Sequence, residues 1–264
     1  MLSIHCLFKK KKTDDGIRFV ELDETDSTNR YCMDHLCDGL LIDGQPMRMV
    51  VVSAEYQRDG RGQGINKWES ERGANLLFSM YCRPSWLAAR RQFVISECAA
   101  LAIRDTLATF ADGFSVKWPN DIYHHDRKIC GILIENRLSA GRLKDCVVGV
   151  GLNVNQLHFV SDAPNPVSLR QITGREMDCK AIEHDIVRRF DERLEMGERG
   201  LYGAIAEDYT SCLYRLGGFH AYRDASGIFE AAIVEVEDDG QLILRDRDGR
   251  MRAYAFKEVE FIIS

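Results

Sequence analysis

The run Lys117-Trp118-Pro119-Asn120-Asp121, followed by Lys128 and then by Gly131-Ile132-Leu133-Ile134-Glu135, constrains the fold more than any other part of the chain. Pro119 fixes its own φ and pushes Trp118 toward extended backbone, so the apolar run ending at Trp118 has to stop there. Asn120 and Asp121 suit the turn that follows. The next run, Ile129 to Ile134, is almost continuously apolar and predicts a mostly buried strand. Lys128 stands at the mouth of that strand. A solvated strand end is one reason for a lysine there; a cation aimed at an anionic ligand is the other.

With 264 residues, 45% of them apolar, the chain has material for a substantial core in one or two domains. No apolar run reaches membrane-spanning length. Leu2 to Phe8 is too short for a secretory signal, and Lys9 to Lys12 follow it rather than precede it. These features predict a cytoplasmic protein with no membrane partner. The nine cysteines are odd in number and contain no CxxC pair, which predicts reduced thiols in the core. His124 and His125 are adjacent and cannot share a helix face as zinc ligands would, so they read as turn residues. A formal net charge of −6 argues against bulk affinity for nucleic acid. Lys9 to Lys12 reads as a solvated basic arm.

Hydrophobic periodicity orders the rest. Residues 1–16 form an arm. Strands are predicted at Ile17–Leu22, Met49–Ala54 and Asn75–Cys82. Asp26 or Ser27 is placed to cap a helix carrying Cys32, His35 and Leu36. A helix is predicted over about Leu87–Phe110, from Val94, Cys98, Leu101 and Ala102. Ser115–Trp118, Ile129–Glu135 and Cys146–Asn153 then follow as strands with no helix long enough to cross between them, which predicts antiparallel pairing. Ile182, Ile186, Phe190 and Leu194 mark another helix, and Leu201–Leu216 one more. Beyond Gly217-Gly218 come short strands divided by turns at 224–227, 238–240 and 246–249, the pattern of a small β-barrel. The domains are therefore expected as 1–16, 17–216 and 217–264, in an α+β fold.

Several motifs are weak when taken singly. Gly60-Arg61-Gly62-Gln63-Gly64 lets backbone approach a ligand and sets Arg61 to hold a phosphate or carboxylate, but a flexible hairpin accounts for it equally. It matches neither the dinucleotide fingerprint nor a Walker loop. Gln57 lies just before it, with an amide that donates and accepts. Trp68 lies just after it and suits either an apolar ligand, a purine or the core. Ser27-Thr28-Asn29 begins a helix, where capping alone explains hydroxyls. Gly149-Val150-Gly151-Leu152-Asn153 ends a strand with two glycines, fitting close approach of a ligand or a bulge. Asn120 and Asn153 carry amides of the kind that read the edge of adenine.

The set is far more specific than its members. ETDSTN (Glu24–Asn29), AEYQ (Ala54–Gln57), GRGQG (Gly60–Gly64), KW (Lys67-Trp68), GANL (Gly73–Leu76), KWPND (Lys117–Asp121), DRKICGILIE (Asp126–Glu135) and GVGLNVN (Gly149–Asn155) together resemble the biotin protein ligases, or biotin–[acetyl-CoA-carboxylase] ligases. The resemblance implies a class-II-synthetase-like mixed, largely antiparallel sheet flanked by helices, with a small C-terminal SH3-like β-barrel. It implies that biotin and ATP, with Mg²⁺, give biotinyl-5′-AMP and pyrophosphate, and that biotin then passes to one lysine of a biotin carboxyl carrier domain. By the same resemblance, Ser27, Thr28, Asn29, Gln57 and Gly131 match biotin-binding positions. Gly60, Arg61, Gly62 and Gln63 match the loop that closes over biotin and the adenylate. Lys128 matches the lysine on the biotin carboxyl and the α-phosphate, with Arg61 as the second catalytic cation. Trp68, Asn120 and Asn153 match positions around adenine. No metal ligand and no oligomeric state follow.

This chain departs from the family pattern in its loop. Gly64 and Ile65 stand where a second arginine and a glycine occur, so one loop cation is absent. Residues 1–23 are too few for the helix-turn-helix repressor domain that some members carry, which leads to the expectation of a monofunctional ligase with no operator binding. A lipoate–protein ligase shares the implied fold and is the nearest alternative; GRGQG with KWPND favours biotin. A non-catalytic biotin- or nucleotide-sensing module is the alternative of another class.

Overall fold

The computed structural model describes residues 11–12, 16–37, 41–42, 45–62, 64, 68–160 and 165–263. Its centre is an eight-stranded mixed sheet. In chain order its strands are β1 (Lys11–Lys12), β2 (Ile17–Thr25), β5 (Met49–Gln57), β6 (Leu76–Cys82), β7 (Phe114–Lys117), β8 (Asp121–His124), β9 (Arg127–Ser139) and β10 (Arg142–Leu152); β3 (Leu41–Ile42) and β4 (Gln45–Pro46) pair only with each other. In space the order is β1-β2-β5-β6-β10-β9-β8-β7. β2 and β5 run parallel, joined through helix α1 (Thr28–His35), and every other pair is antiparallel.

Both faces of the sheet are covered, and the strand residues alternate between the two covers. On one side α1 packs over Val50, Val52, Tyr81 and Val147. On the other, Met49, Val51, Phe78, Met80 and Val148 meet α2 (Phe93–Leu107) and, after the short α3 (Leu169–Thr173), α4 (Cys179–Glu198), with α5 (Tyr202–Ser211) packed against α2. All seven residues of β6 are buried, as expected for a strand covered twice. The antiparallel succession predicted for the middle of the chain is present. The reading of Asn120-Asp121 as a simple turn needs correction. The turn is tighter, and Asp121–His124 form β8, a strand of their own between β7 and β9. Its short, polar sequence carries too little periodicity to be seen.

Eight of the described cysteines form no disulfide, seven of them buried, as the reading of core thiols expects. The reading of both histidines as turn residues needs correction: His125 takes φ 51° in the turn after β8, but His124 is the last residue of β8 itself. No described group of three His, Cys, Asp or Glu side chains is placed to hold a metal. Of the predicted basic arm, Lys11 and Lys12 pair with Phe19 and Arg18 of β2; Lys9 and Lys10 lie outside the described residues.

After α5 comes a five-stranded antiparallel sheet: β11 (His220–Asp224), β12 (Gly227–Val236), β13 (Leu242–Asp246), β14 (Met251–Tyr254) and β15 (Glu260–Phe261). All three predicted turns separate consecutive strands. The tip of the β12–β13 hairpin docks on the main sheet. Gly240 takes φ 93°, its carbonyl accepts from Trp118 Nε1 at 2.9 Å, and Arg91 pairs with Asp238 at 2.9 Å. A Cβ at Gly240 would stand 2.5 Å from the Phe93 ring. Gly240→Ala therefore combines a disfavoured backbone with a steric clash, and each such strain costs about 1–3 kcal/mol. It is expected to lower the unfolding midpoint, because the displaced hairpin carries the rest of its sheet with it. An unchanged melting curve would count against this docking.

Candidate functional site

One cavity of about 610 Å³ opens on the α1 face of the main sheet. Strand register explains its floor. Lys117 pairs with Asp121, Asp121 with Gly131, and Gly131 with Gly151, so these four residues form one row across β7, β8, β9 and β10. Cross-strand partners point to the same face. The row therefore runs from two charges to two glycines. The next row on this face, two residues along, holds Leu133, Gly149 and Ser79.

The glycines are seats for large side chains. A Cβ on Gly151 would lie 2.4 Å from Trp68 Cε2, and one on Gly131 would lie 3.0 Å from Trp68 Cζ3. The Trp68 indole rests on this bare backbone, with Lys128 Nζ 5.9 Å from the ring centroid. Its Nε1 is buried and finds no partner among the described residues. Gly149 plays the same part for Asn29, whose Oδ1 would meet a Gly149 Cβ at 2.1 Å. Gly149→Ala is accordingly expected to push Asn29 out of place and lower activity by ~10-fold or more, since overpacking of this kind typically costs about 1–3 kcal/mol. Steady-state kinetics on the folded variant checks this.

Lys128 reaches the cavity because of a β-bulge. Ile122 pairs with Cys130, but the next residue, Tyr123, pairs with Lys128, so Ile129 is the extra residue. Without it the lysine would face the opposite side of the sheet. On the cavity side Lys128 Nζ meets Asp121 Oδ1 at 2.7 Å, and both side chains are mostly shielded from solvent. Lys117 lies close by, its Nζ 4.8 Å from the Phe261 ring and 5.4 Å from the Tyr123 ring. Burial pulls the Lys117 pKa below its ordinary value; Asp121 opposes that shift and Lys128 adds to it. This end of the cavity gathers the positive charge of Lys117 and Lys128 beside Asp121.

The other end is polar and nearly neutral. The parallel register sets Gln57 opposite Thr25, which brings its amide to the start of α1. Gln57 Oε1 accepts from Thr28 N at 2.7 Å and lies 3.2 Å from Thr28 Oγ1. Ser27 is the N-cap residue, yet its side chain makes no cap hydrogen bond; it lines the cavity instead. Capping alone therefore does not account for this serine.

Of the residues singled out in the sequence, Ser27, Thr28, Asn29, Gln57, Arg61, Gly62, Trp68, Asn120, Lys128 and Gly131 all line this cavity. Two do not join them. Gly60 lies behind the loop, where its carbonyl accepts from Trp68 N at 2.9 Å and a Cβ would strike Trp68 O. Asn153 is buried off the cavity, with Nδ2 on Val167 O at 3.2 Å. Gln63 lies outside the described residues, as do Ile65 and Lys67. The Asn120 amide lines the cavity but already donates to Ile132 O. The sequence reading assigned no role to Lys117, Asp121 or Ser79, nor to the C-terminal Phe256, Lys257 and Phe261 that close the cavity. Ser79 had a signal: it is the lone non-aromatic polar residue in the buried strand LLFSMYC. The C-terminal residues had none, since only tertiary docking brings them here.

A family model described as biotin/lipoate A/B protein ligase matches residues 22–153, half of the chain and nearly all of this cavity's strands. The chain belongs to this family. A biotin–[acetyl-CoA-carboxylase] ligase of Paracoccus denitrificans is 30% identical over 243 residues, covering 87% of this chain and 95% of its own. The bifunctional ligase/repressor BirA of Escherichia coli is 32% identical over 188 residues, 70% of this chain. The chain spans only 56% of that relative's length. A biotin protein ligase from Aquifex aeolicus, solved with biotin and ATP, superposes with a TM-score of 0.74 over 93% of this chain and 99% of its own, at 24% identity. That likeness shows the biotin-protein-ligase fold, and the C-terminal five-stranded sheet is compatible with the SH3-like barrel the resemblance implied.

Proposed function

We propose that the protein is an ATP-dependent biotin–protein ligase. The observation that carries this reading is the polarity of one elongated cavity. One end offers amide and hydroxyl groups at Gln57, Thr28 and Ser27. The middle is paved by Gly131 and Gly151 under Trp68. The other end gathers Lys128 and Lys117. A polar ring, an apolar tail and a carboxylate, in that order, fit such a trough.

The chemistry follows from the charged end. Joining a carboxylate to an α-phosphate brings two anions together, so positive charge has to be in place before the bond forms. Lys128 exchanges its Asp121 partner for the substrate oxygens, and Arg61, from the loop, adds a bidentate cation. The carboxylate oxygen bonds to phosphorus as pyrophosphate leaves. A carrier lysine amine then attacks the acyl carbon and AMP departs. No enzyme nucleophile is needed. A Mg²⁺ ion carried by the phosphates would neutralise part of their charge and would need one or two carboxylates from the protein; Glu260, which lines the cavity, would supply one. Phe256, Lys257 and Phe261 make the sheet after residue 217 a wall of the nucleotide end, which is why we treat 217–264 as a functional part of the enzyme. The free thiols fit a reducing compartment, and we place the activity in the cytoplasm.

The partner is a biotin carboxyl carrier domain. The test is to mix the protein with biotin and MgATP, measure pyrophosphate release, then add such a domain and weigh it. A biotin-sized gain on one lysine is expected. Pyrophosphate release without transfer would leave an adenylating enzyme with another acceptor, and absence of both would overturn the reading.

A further inference from the structure

Behind the ring end of the cavity, a chain of hydrogen bonds crosses the sheet. Asn29 Nδ2 donates to Leu133 O at 3.2 Å and to Glu135 Oε2 at 2.8 Å. Asn29 Oδ1 lies 2.6 Å from Ser79 Oγ, and Ser79 Oγ lies 2.7 Å from Thr28 Oγ1. Thr28 in turn meets Gln57. Ser79 is completely buried, on the central strand β6.

Proton counting fixes the direction of this chain. A carboxylate and a carbonyl only accept, so both Asn29 Nδ2 protons are committed to β9 and the amide cannot turn over. Asn29 Oδ1 then faces Ser79 with lone pairs alone, and the single Ser79 proton has to bridge them. With that proton spent, the contact between Ser79 and Thr28 requires Thr28 to donate to Ser79 Oγ at 2.7 Å rather than to Gln57 Oε1, which lies farther off at 3.2 Å. Thr28 Oγ1 is left with lone pairs for the cavity. Gln57 Oε1 is held by the Thr28 backbone N–H, so Gln57 Nε2 is the half of the amide left to donate. In the reverse direction Ser79 would occupy a Thr28 lone pair and release the Thr28 proton toward the cavity.

We propose that Ser79 and Asn29, anchored by Leu133 O and Glu135, are positioning residues that make Thr28 an acceptor and so select a ring that offers an N–H there. This rests on the ligase reading and names what its ring site measures: a neighbouring N–H and C=O, as in a cyclic urea. It also gives Asn29 a different role from direct ligand binding, since its amide is already engaged on both sides. The Ser79 hydroxyl within LLFSMYC, the Glu135 that ends GILIE and the Gly149 that makes room for Asn29 become parts of one device.

The experiment compares biotin with its two cyclic carbamate isomers, in which one ring N–H or the other is replaced by oxygen. Pyrophosphate exchange is followed for the wild type, Ser79→Ala and Glu135→Ala. The wild type is expected to favour biotin over one isomer by ~100-fold or more, because that isomer sets oxygen against the Thr28 lone pairs. In Ser79→Ala the Thr28 proton is released from β6 and is free to turn toward Gln57 Oε1 or the ring oxygen. The preference should then fall to about tenfold or less, with the biotin KM raised ~10-fold and the ATP KM unmoved. Glu135→Ala, on a partly exposed strand position, should shift the preference the same way by a smaller factor, and it serves if Ser79→Ala does not fold. A general loosening of the site would raise the KM for both ring types together and leave their ratio alone. An unchanged ratio in both folded variants overturns the relay while leaving the ligase reading in place. A wild type that performs no biotin-dependent exchange sinks both.

Discussion

Lys128→Ala is expected to reduce biotin-dependent ATP–pyrophosphate exchange by ~10²-fold or more while leaving a folded protein, by the scale seen when one preorganised stabilising donor is removed. The bulge at Ile129 turns the side chain away from the core, and its ionic partner is Asp121, 2.7 Å away. Removing the lysine therefore opens no core cavity. It does leave Asp121 as an unpaired negative charge beside the place where phosphate and carboxylate have to meet, so the loss combines a missing attraction with an added repulsion. Adding Asp121→Asn to Lys128→Ala separates the two. The double variant is expected to recover part of the nucleotide affinity but little of the rate, because an amide there removes the repulsion without supplying a cation. Near-normal exchange by Lys128→Ala would move the catalytic charge elsewhere, with Lys117, Arg61 and Lys257 as the other cations lining the cavity among the described residues.

The lysine shows how far the sequence could be read. That a cation stood at the head of a buried strand was visible in DRKICGILIE, and so was its likeness to a family motif. That it faced the ligand depended on a one-residue bulge, which no pattern of apolar residues discloses: Ile129 is as buried as its neighbours. The main strands and helices were legible because each has a long apolar period and the three C-terminal turns carry Asp and Gly. Strand β8 was not, since four residues cannot display a period. The pair Gly149 and Gly151 was visible as a motif with two open explanations. Only the structure shows that alternation on β10 puts both on the same face, one under Asn29 and the other under Trp68. Asn153, which reads as a partner for adenine, donates from its side-chain amide to Val167 O and does not line this cavity. An asparagine's sequence context does not reveal whether its amide is already occupied. The contribution of Phe256, Lys257 and Phe261 was invisible for a different reason. It arises from docking two sheets that are far apart in the chain, through contacts such as Trp118 to Gly240.

The largest effect expected of the wild-type protein is a choice between substrates. Biotin and lipoate have similar acyl tails and the same terminal carboxylate, so Lys128 and the glycine-paved floor treat them alike. They differ at the ring. A ureido ring brings two N–H donors and one carbonyl, whereas a dithiolane brings no donor and only weak acceptors. At that end of the cavity Thr28 and Ser27 are buried and Gln57 is half-buried. Filling the space with a dithiolane strips water from these groups and gives nothing in return, and sites built to hydrogen-bond reject such analogues by ~10⁴-fold or more. Biotin and not lipoate is therefore expected to support ATP–pyrophosphate exchange. Gln57→Ala should raise the KM for biotin much more than the KM for ATP, because Gln57 acts at the ring and the phosphates bind at the far end. The same variant should narrow the preference over lipoate, chiefly by weakening biotin. Equal exchange with both acids in the wild type would leave the adenylating cations in place and assign the ring end of the cavity to a different acid.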